Sequence, residues 1–326
     1  MNSVAVFLPD ISVEILMADG GKLKAFRSIA ATKAAKQEAK AAYLFLIPAF
    51  IGLTVLTYGP LLAVFGLSFF RWRATAPAPT FVGFQNFIRL FTEDFFFIDS
   101  IKVTAFFSLI AVIGSLIYSL MVAILLNRKI PARGFFRAVF YLPYVLPAVA
   151  VYIGWSWLYD GNFGLINYIL SELGINSIHF IADTKWVVPA LALISVWLSG
   201  NLIVIFLAGL QNVPRVYYEA AEIDGANYWQ RLINVTLPCM SPIIFYNLLM
   251  ALVTNMQIVT PALALTRGGP GNSSTFMTYL MYRNAFIDGQ LGYASAISFI
   301  FFIIVAVFTT IIFITSKEWV FYEGDK

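Results

Sequence analysis

Six stretches of this chain contain no charged residue, and each exceeds the ~20 residues that a helix needs to cross ~30 Å of hydrocarbon. They lie between Lys40 and Arg71, Lys102 and Arg128, Arg137 and Asp160, Lys185 and Arg215, Arg231 and Arg267, and Asp288 and Lys317. Charged residues make up 12% of the 326 and hydrophobic ones 60%, roughly half the charge fraction of a soluble domain. The expected fold is an all-α polytopic membrane protein with six transmembrane helices.

The net charge of +4 could suggest a nucleic-acid partner until the basic residues are placed. With the N-terminus inside, six Lys/Arg precede the first span (Lys22, Lys24, Arg27, Lys33, Lys36, Lys40). Four follow between spans two and three (Arg128, Lys129, Arg133, Arg137), two between four and five (Arg215, Arg231) and two at the end (Lys317, Lys326). Seven of the 21 are left outside, as the positive-inside rule requires. The excess base is topology, and no nucleic acid is implied. Both termini are then cytoplasmic.

Residues 1–40 read as a cytoplasmic extension, with a basic helix over Lys22 to Lys40 along the inner headgroups. Residues 41–316 form the six-span domain and 317–326 a cytoplasmic tail. Asp10 and Glu14 interrupt what would be the apolar core of a cleavable signal. The aromatic segment Phe81 to Phe87 predicts a short helix at the outer interface. Pro143 and Pro147 predict a kink or unwinding early in the third span, because each ring removes a backbone donor. Cys239 is the only cysteine and His179 the only histidine, which excludes a disulfide framework and Cys-rich or His-cluster metal sites. A phosphate-cradling Gly-Lys-Ser/Thr loop is also missing: Gly21-Lys22 is followed by Leu23. Neither a catalytic residue nor a bound metal is expected.

The inner loop 213–238 is long enough to carry structure of its own. Pro214 suits a first helical turn, good helix formers run from Tyr217 to Asp224, and Gly225 permits the left-handed residue that ends a helix. A second short helix is expected from Ala226 to Thr236, stopped by Pro238. On the first helix Glu219 and Glu222 share a face flanked by the thin residues Ala220 and Ala221. Carboxylates so presented suit a partner arginine.

At mid-membrane depth the buried amides and hydroxyls Asn201, Asn247, Thr254, Asn255 and Gln257 mark a candidate pathway, since unpaired amides in hydrocarbon are costly. On an ideal helix Asn255 and Gln257 lie on opposite flanks of the stripe through Asn247, so both face one pore only if the helix is distorted near Pro261. All span interiors are uncharged. That argues against an ion-coupled secondary transporter or channel, the alternative reading.

Glu219-Ala220-Ala221, Gly225, Val235 and Leu237-Pro238 together resemble the signature loop of bacterial binding-protein-dependent ABC importers, with Val235 where the family has Ile. Gly134 to Arg137 with Leu142-Pro143-Tyr144, Phe163 to Asn167 and Leu265 to Pro270 resemble its carbohydrate branch, which takes up maltose-type sugars and glycerol phosphates. The resemblance covers Phe81 to the C-terminus and implies a type I ABC importer permease in the bacterial inner membrane.

That resemblance implies several partners: a second homologous permease subunit, two nucleotide-binding ATPase subunits, an extracytoplasmic solute-binding protein and membrane lipid. ATP and Mg would sit on the ATPase subunits, with no cofactor bound by this chain. Glu219, Ala220, Ala221, Glu222, Asp224 and Gly225 would couple to the motor. Tyr144, Leu198, Ser199 and Asn255 match sugar-binding positions, while the family serine and second asparagine fall on Ala251 and Ile258. Gly268, Gly269 and Pro270 form a candidate docking turn for the solute-binding protein. The expected cargo is an oligosaccharide, alginate among the candidates.

Overall fold

A computed structural model describes residues 33–321. Most of the expected basic interfacial helix, residues 22–32, lies outside the described residues. Its remainder is helical: α1 (Lys33–Leu53) starts before the expected span and runs through Lys40. A π turn at Thr54–Tyr58 joins α1 to α2 (Gly59–Leu67). The chain divides into two compact units, Met1–Ala63 and Val64–Lys326.

After α2 come the two short antiparallel strands β1 (Phe70–Arg71) and β2 (Thr80–Phe81), then α3 (Gln85–Thr92). The expected helix at Phe81 therefore begins four residues later. Phe81 pairs with Phe70 in the ladder, and Gly83 takes a left-handed φ of 58° that redirects the chain into α3.

The long helix α4 (Phe95–Asn127) is the axis around which the second unit packs. Its start is capped by Asp94, whose Oδ1 accepts from Phe97 N at 3.2 Å. Small polar residues line its buried side (Ser100, Thr104, Ser108, Ser115, Ser119), while Phe106, Leu109, Ile113, Ile117, Met121 and Leu125 are exposed on the other. With no aqueous drive to pack helices within lipid, small side chains allow the backbones to approach. α5 (Arg133–Val145) and α6 (Ala148–Leu158) meet at an angle of 100°. The break falls between Pro143 and Pro147, as their sequence positions predict. A short helix α7 (Leu165–Glu172) follows.

α8 (Val187–Trp197) and α9 (Gly200–Asn212) pack on α4 and bend 47° across Leu198-Ser199. This second break carries no proline. At its centre Ser199 Oγ donates to Val196 O at 2.6 Å and lies 2.8 Å from Ser119 Oγ on α4.

The loop helices α10 (Arg215–Ile223) and α11 (Tyr228–Arg231) follow. α11 does not stop at Pro238: a π turn at Leu232–Thr236 feeds directly into α12 (Leu237–Met256). A proline lacks the N–H of the helical ladder and crowds the carbonyl four residues back. The wider π turn just before Leu237-Pro238 makes room for that ring, as the one before Gly59-Pro60 does in the first helix. A π turn at Ala262–Thr266, α13 (Met277–Tyr282), a further π turn at Arg283–Ile287 and α14 (Leu291–Trp319) complete the chain. Lys317 to Trp319 belong to α14 rather than to a tail. Residues 322–326 of the expected tail lie outside the described residues.

Among the described residues four helices are long and apolar enough to span a membrane, and up to six spans result if each bent pair counts as one. Phe107, Leu191, Ile194 and Phe276 form the largest buried cluster, between α4, α6 and α8. Met240, Ile203 and Phe206 close the end that carries α10.

Candidate functional site

The two helix breaks and the end of α12 enclose a cavity of about 450 Å³. Tyr144, Leu146, Ala148 and Tyr152 come from the α5–α6 break, and Ser195, Leu198, Ser199, Asn201 and Leu202 from the α8–α9 break. Ser115 of α4 joins them, and α12 and its exit supply Met250, Ala251, Thr254, Asn255 and Gln257 to Thr260. The breaks touch: a Cβ built on Gly200 would lie 3.0 Å from Phe140 O and 3.2 Å from Tyr144 Cβ. No lysine, arginine, histidine or carboxylate lines this cavity. Its polar groups are hydroxyls and amides.

Tyr144, Leu198, Ser199, Asn255 and Gln257 all reach this wall. Asn255 and Gln257 can do so together because α12 ends at Met256, so Gln257 no longer follows helical geometry. The distortion lies four residues before Pro261. Asn255 donates from Nδ2 to Ala251 O at 2.8 Å, the only hydrogen bond of its amide among the described residues. Asn247 is placed elsewhere. It is wholly buried behind the wall, where its Nδ2 reaches Leu202 O at 3.4 Å and its Oδ1 has no partner among the described residues. Trp155 and Trp197 pack edge to face at 5.6 Å outside the lining, and Trp157 is exposed. Ser115, Tyr152, Ser195 and Thr260 were not singled out from the sequence. The four-residue spacings of Ser115 with Ser119 and of Ser195 with Ser199 were the available signal.

At one end of the bundle α10 stands out as a short knob. Gly225 (φ 74°) ends it in a Schellman motif, with Ala226 N donating to Ala221 O at 2.9 Å and Gly225 N to Glu222 O at 3.1 Å. Asn227 and Gln230 then form a reciprocal capping box that starts α11. Tyr218 fastens the knob from beneath, its hydroxyl 2.9 Å from Thr236 Oγ1. Arg231 pairs with Glu222 across the elbow. Glu219 is exposed and has no hydrogen-bond or ion-pair partner among the described residues, and Ala220 and Asp224 are also exposed. Ile223, 87% exposed, presents an apolar side chain to solution beside these acids.

At the other end, the turn around Gly268, Gly269 and Pro270 is tied internally. Ser274 Oγ donates to Gly269 O at 2.5 Å and lies 2.6 Å from Thr266 Oγ1, and Thr275 Oγ1 donates to Gly268 O at 3.1 Å. Gly268 is buried there, and Arg267 and Gly271 are the exposed residues of the turn.

Residues 115–317 match the family described as binding-protein-dependent transport system inner membrane component. The chain is 37% identical over 299 residues to the probable ABC transporter permease protein YesP of Bacillus subtilis strain 168, covering 90% of this chain and 96% of that one. It is 31% identical to the trehalose/maltose transport system permease protein MalF of Thermococcus litoralis, over 84% of this chain and 93% of the relative. The fold is similar to a bacterial alginate ABC transporter solved in complex with an alginate pentasaccharide-bound periplasmic protein. That comparison gives a TM-score of 0.73 at 22% identity, covering 87% of this chain and 96% of that one. The fold is thus that of a type I ABC importer permease, and the chain belongs to the binding-protein-dependent transport system inner membrane component family.

Proposed function

We propose that this carbohydrate importer permease is driven by ATP hydrolysed on separate subunits, and that α10 is the element through which the motor grips it. The observation that carries this reading is Glu219: a carboxylate on a fastened, projecting helix, exposed and without a partner among the described residues, while its neighbour Glu222 is held by Arg231. An arginine in a groove of the motor subunit would form a charge-assisted, bidentate pair with it. The exposed Ile223 would fill the apolar part of that groove. Motor closure, with ATP and Mg bound there, would swing the spans between inward-facing and outward-facing states. The end bearing α10 would lie in the cytoplasm and the Gly268–Pro270 turn outside, facing a solute-binding protein.

The cargo would pass the cavity between the two breaks, in a space completed by a second permease subunit. Tyr144 would offer a ring face to a sugar, and Ser199, Asn255 and Gln257 would offer hydrogen bonds to its hydroxyls. An oligosaccharide fits this wall. An acidic one such as alginate would have to find its counter-charge on the partner subunit, because this wall carries none. An ion-coupled carrier is disfavoured on the same ground.

The test is Glu219→Ala in the assembled transporter. Losing one partner of a desolvated charged pair costs about 2–5 kcal/mol, so uptake should be lost and the ATPase subunits should detach or run uncoupled, with membrane insertion unchanged. Normal uptake by this variant would refute the coupling role.

A further inference from the structure

Arg71, Arg73 and Arg89 converge on one pocket of about 210 Å³, whose walls also include Trp72, Gln85 and Tyr293. By charge distribution these are three of the seven basic residues that the positive-inside rule leaves on the less favoured side, so their grouping calls for a cause. The ion pairs among the described residues are Lys102–Asp99, Arg231–Glu222 and Arg283–Asp288, and none involves this trio. Neutral amides hold two of the three guanidinium groups instead. Arg71 Nη2 donates to Gln85 Oε1 at 3.1 Å, and Arg89 Nη1 donates to Gln290 Oε1 at 2.9 Å while lying 4.3 Å over the Tyr293 ring. The adjacent acid Asp94 is engaged by the Tyr293 hydroxyl and by Phe97 N, and Glu93 lies beside it in the chain.

The pocket is built in advance. Asn86 Nδ2 donates to both Ser68 O and Phe70 O, at 2.8 and 2.9 Å, locking the β1–β2 hairpin onto α3. Arg73 bridges to Gln290, and Ala74 N donates to Gly289 O at 2.8 Å, which locks the hairpin onto the start of α14. Its depth follows from the chain. Arg71 and Arg73 come just after α2 ends at Leu67, Arg89 just before α4 begins at Phe95, and Gln290 immediately before α14. All of them therefore lie where apolar helices meet the headgroups. Phe84, which precedes α3, and Ile88 and Phe91 on it are exposed along one strip, next to the strip that carries Gln85 and Arg89. A helix with exposed aromatics beside arginines lies in the membrane interface.

We propose that this pocket binds the phosphate of an anionic membrane phospholipid, with the acyl chains laid along Phe84, Ile88 and Phe91. Guanidinium forks without a carboxylate suit a phosphate. A soluble phosphate offers the same chemistry, but the apolar strip beside the pocket would then be left in contact with nothing that needs it.

The complete transporter is extracted in mild detergent from membranes containing phosphatidylglycerol and phosphatidylethanolamine, and the retained lipid is counted by native mass spectrometry. The wild type should retain phosphatidylglycerol, and R71Q/R73Q/R89Q should lose it, by about five-fold per arginine removed. K102Q, at an exposed ion pair outside the pocket, should retain it. Because Arg89 also stacks on Tyr293, R71Q/R73Q, which keeps that stack, is read beside the triple variant. In a second arm, phosphatidylglycerol but not millimolar inorganic phosphate should raise the melting temperature of delipidated wild type. Wild-type retention by both variants, or equal stabilisation by inorganic phosphate, would overturn the proposal.

Discussion

Arg231 holds Glu222 across the Gly225 elbow, so the two acids that share the outer face of α10 are not equivalent. One is committed within the chain and the other is free to meet a partner. The pair is largely solvent-exposed on the glutamate side and so contributes roughly 0–1 kcal/mol to stability. It ties α11 back onto α10 across the elbow. Arg231→Ala should therefore leave the melting temperature of the assembly nearly unchanged and reduce uptake only in part. The exchange Glu222→Arg with Arg231→Glu should recover most of the loss. Uptake assays on the three variants decide this, and a loss in Arg231→Ala as deep as in Glu219→Ala would mean that both acids serve the motor.

The elbow itself gives a second expectation. A Cβ on Gly225 would meet nothing within 4 Å, so the obstacle to substitution is its φ of 74° alone. Gly225→Ala should cost about 1–2 kcal/mol locally. Gly225→Asn should cost less, since asparagine tolerates the left-handed region. Uptake should rank glycine, asparagine, alanine. An alanine variant as active as the wild type would remove the elbow from the mechanism.

Much of this architecture was legible because it rests on strong local physics. The uncharged runs could only be spans, Pro143 and Pro147 could only weaken the helix between them, and Gly225 supplied the conformation that the loop needed. What escaped depended on partners distant in the chain or on small shifts of helical geometry. Pro238 read as a stop, but a π turn of five residues absorbs it. The bend at Leu198-Ser199 has no proline and is tied to Ser119, 80 residues earlier. Phe81 was drawn into a strand by Phe70. Glu222 looked like the twin of Glu219 until Arg231, nine residues on, folded back to it.

Gly292 tests the frame around the headgroup-level pocket. A Cβ there would lie 1.9 Å from Phe70 O, and the obstructing atom is backbone held in the β1–β2 ladder. Nothing flexible can yield. Gly292→Ala should displace the hairpin from α14 and destabilise the fold by about 1–3 kcal/mol or more, seen as a lower melting temperature and poor recovery of assembled transporter. Gly134→Ala, where a Cβ meets nothing within 4 Å, is the matched control. Equal behaviour of the two variants would contradict the packing described for α14.

The two asparagines of α12 separate pathway from scaffold. Among the described residues Asn255 lines the cavity with an amide oxygen free of partners, whereas Asn247 is sealed between α12 and α9 with its oxygen unsatisfied and its hydrogen bond to Leu202 O stretched to 3.4 Å. Removing a half-satisfied buried amide in favour of an apolar group of similar size is nearly neutral or stabilising. Asn247→Leu should therefore hold or raise the melting temperature and leave the KM for sugar uptake unchanged. On the proposed pathway Asn255→Ala would lose one hydrogen bond to cargo, about 0.5–1.5 kcal/mol, so its KM should rise by roughly two- to ten-fold while the melting temperature stays put. Should Asn247→Leu be the variant that shifts KM, the pathway would run between α9 and α12 rather than through the space enclosed by the two breaks.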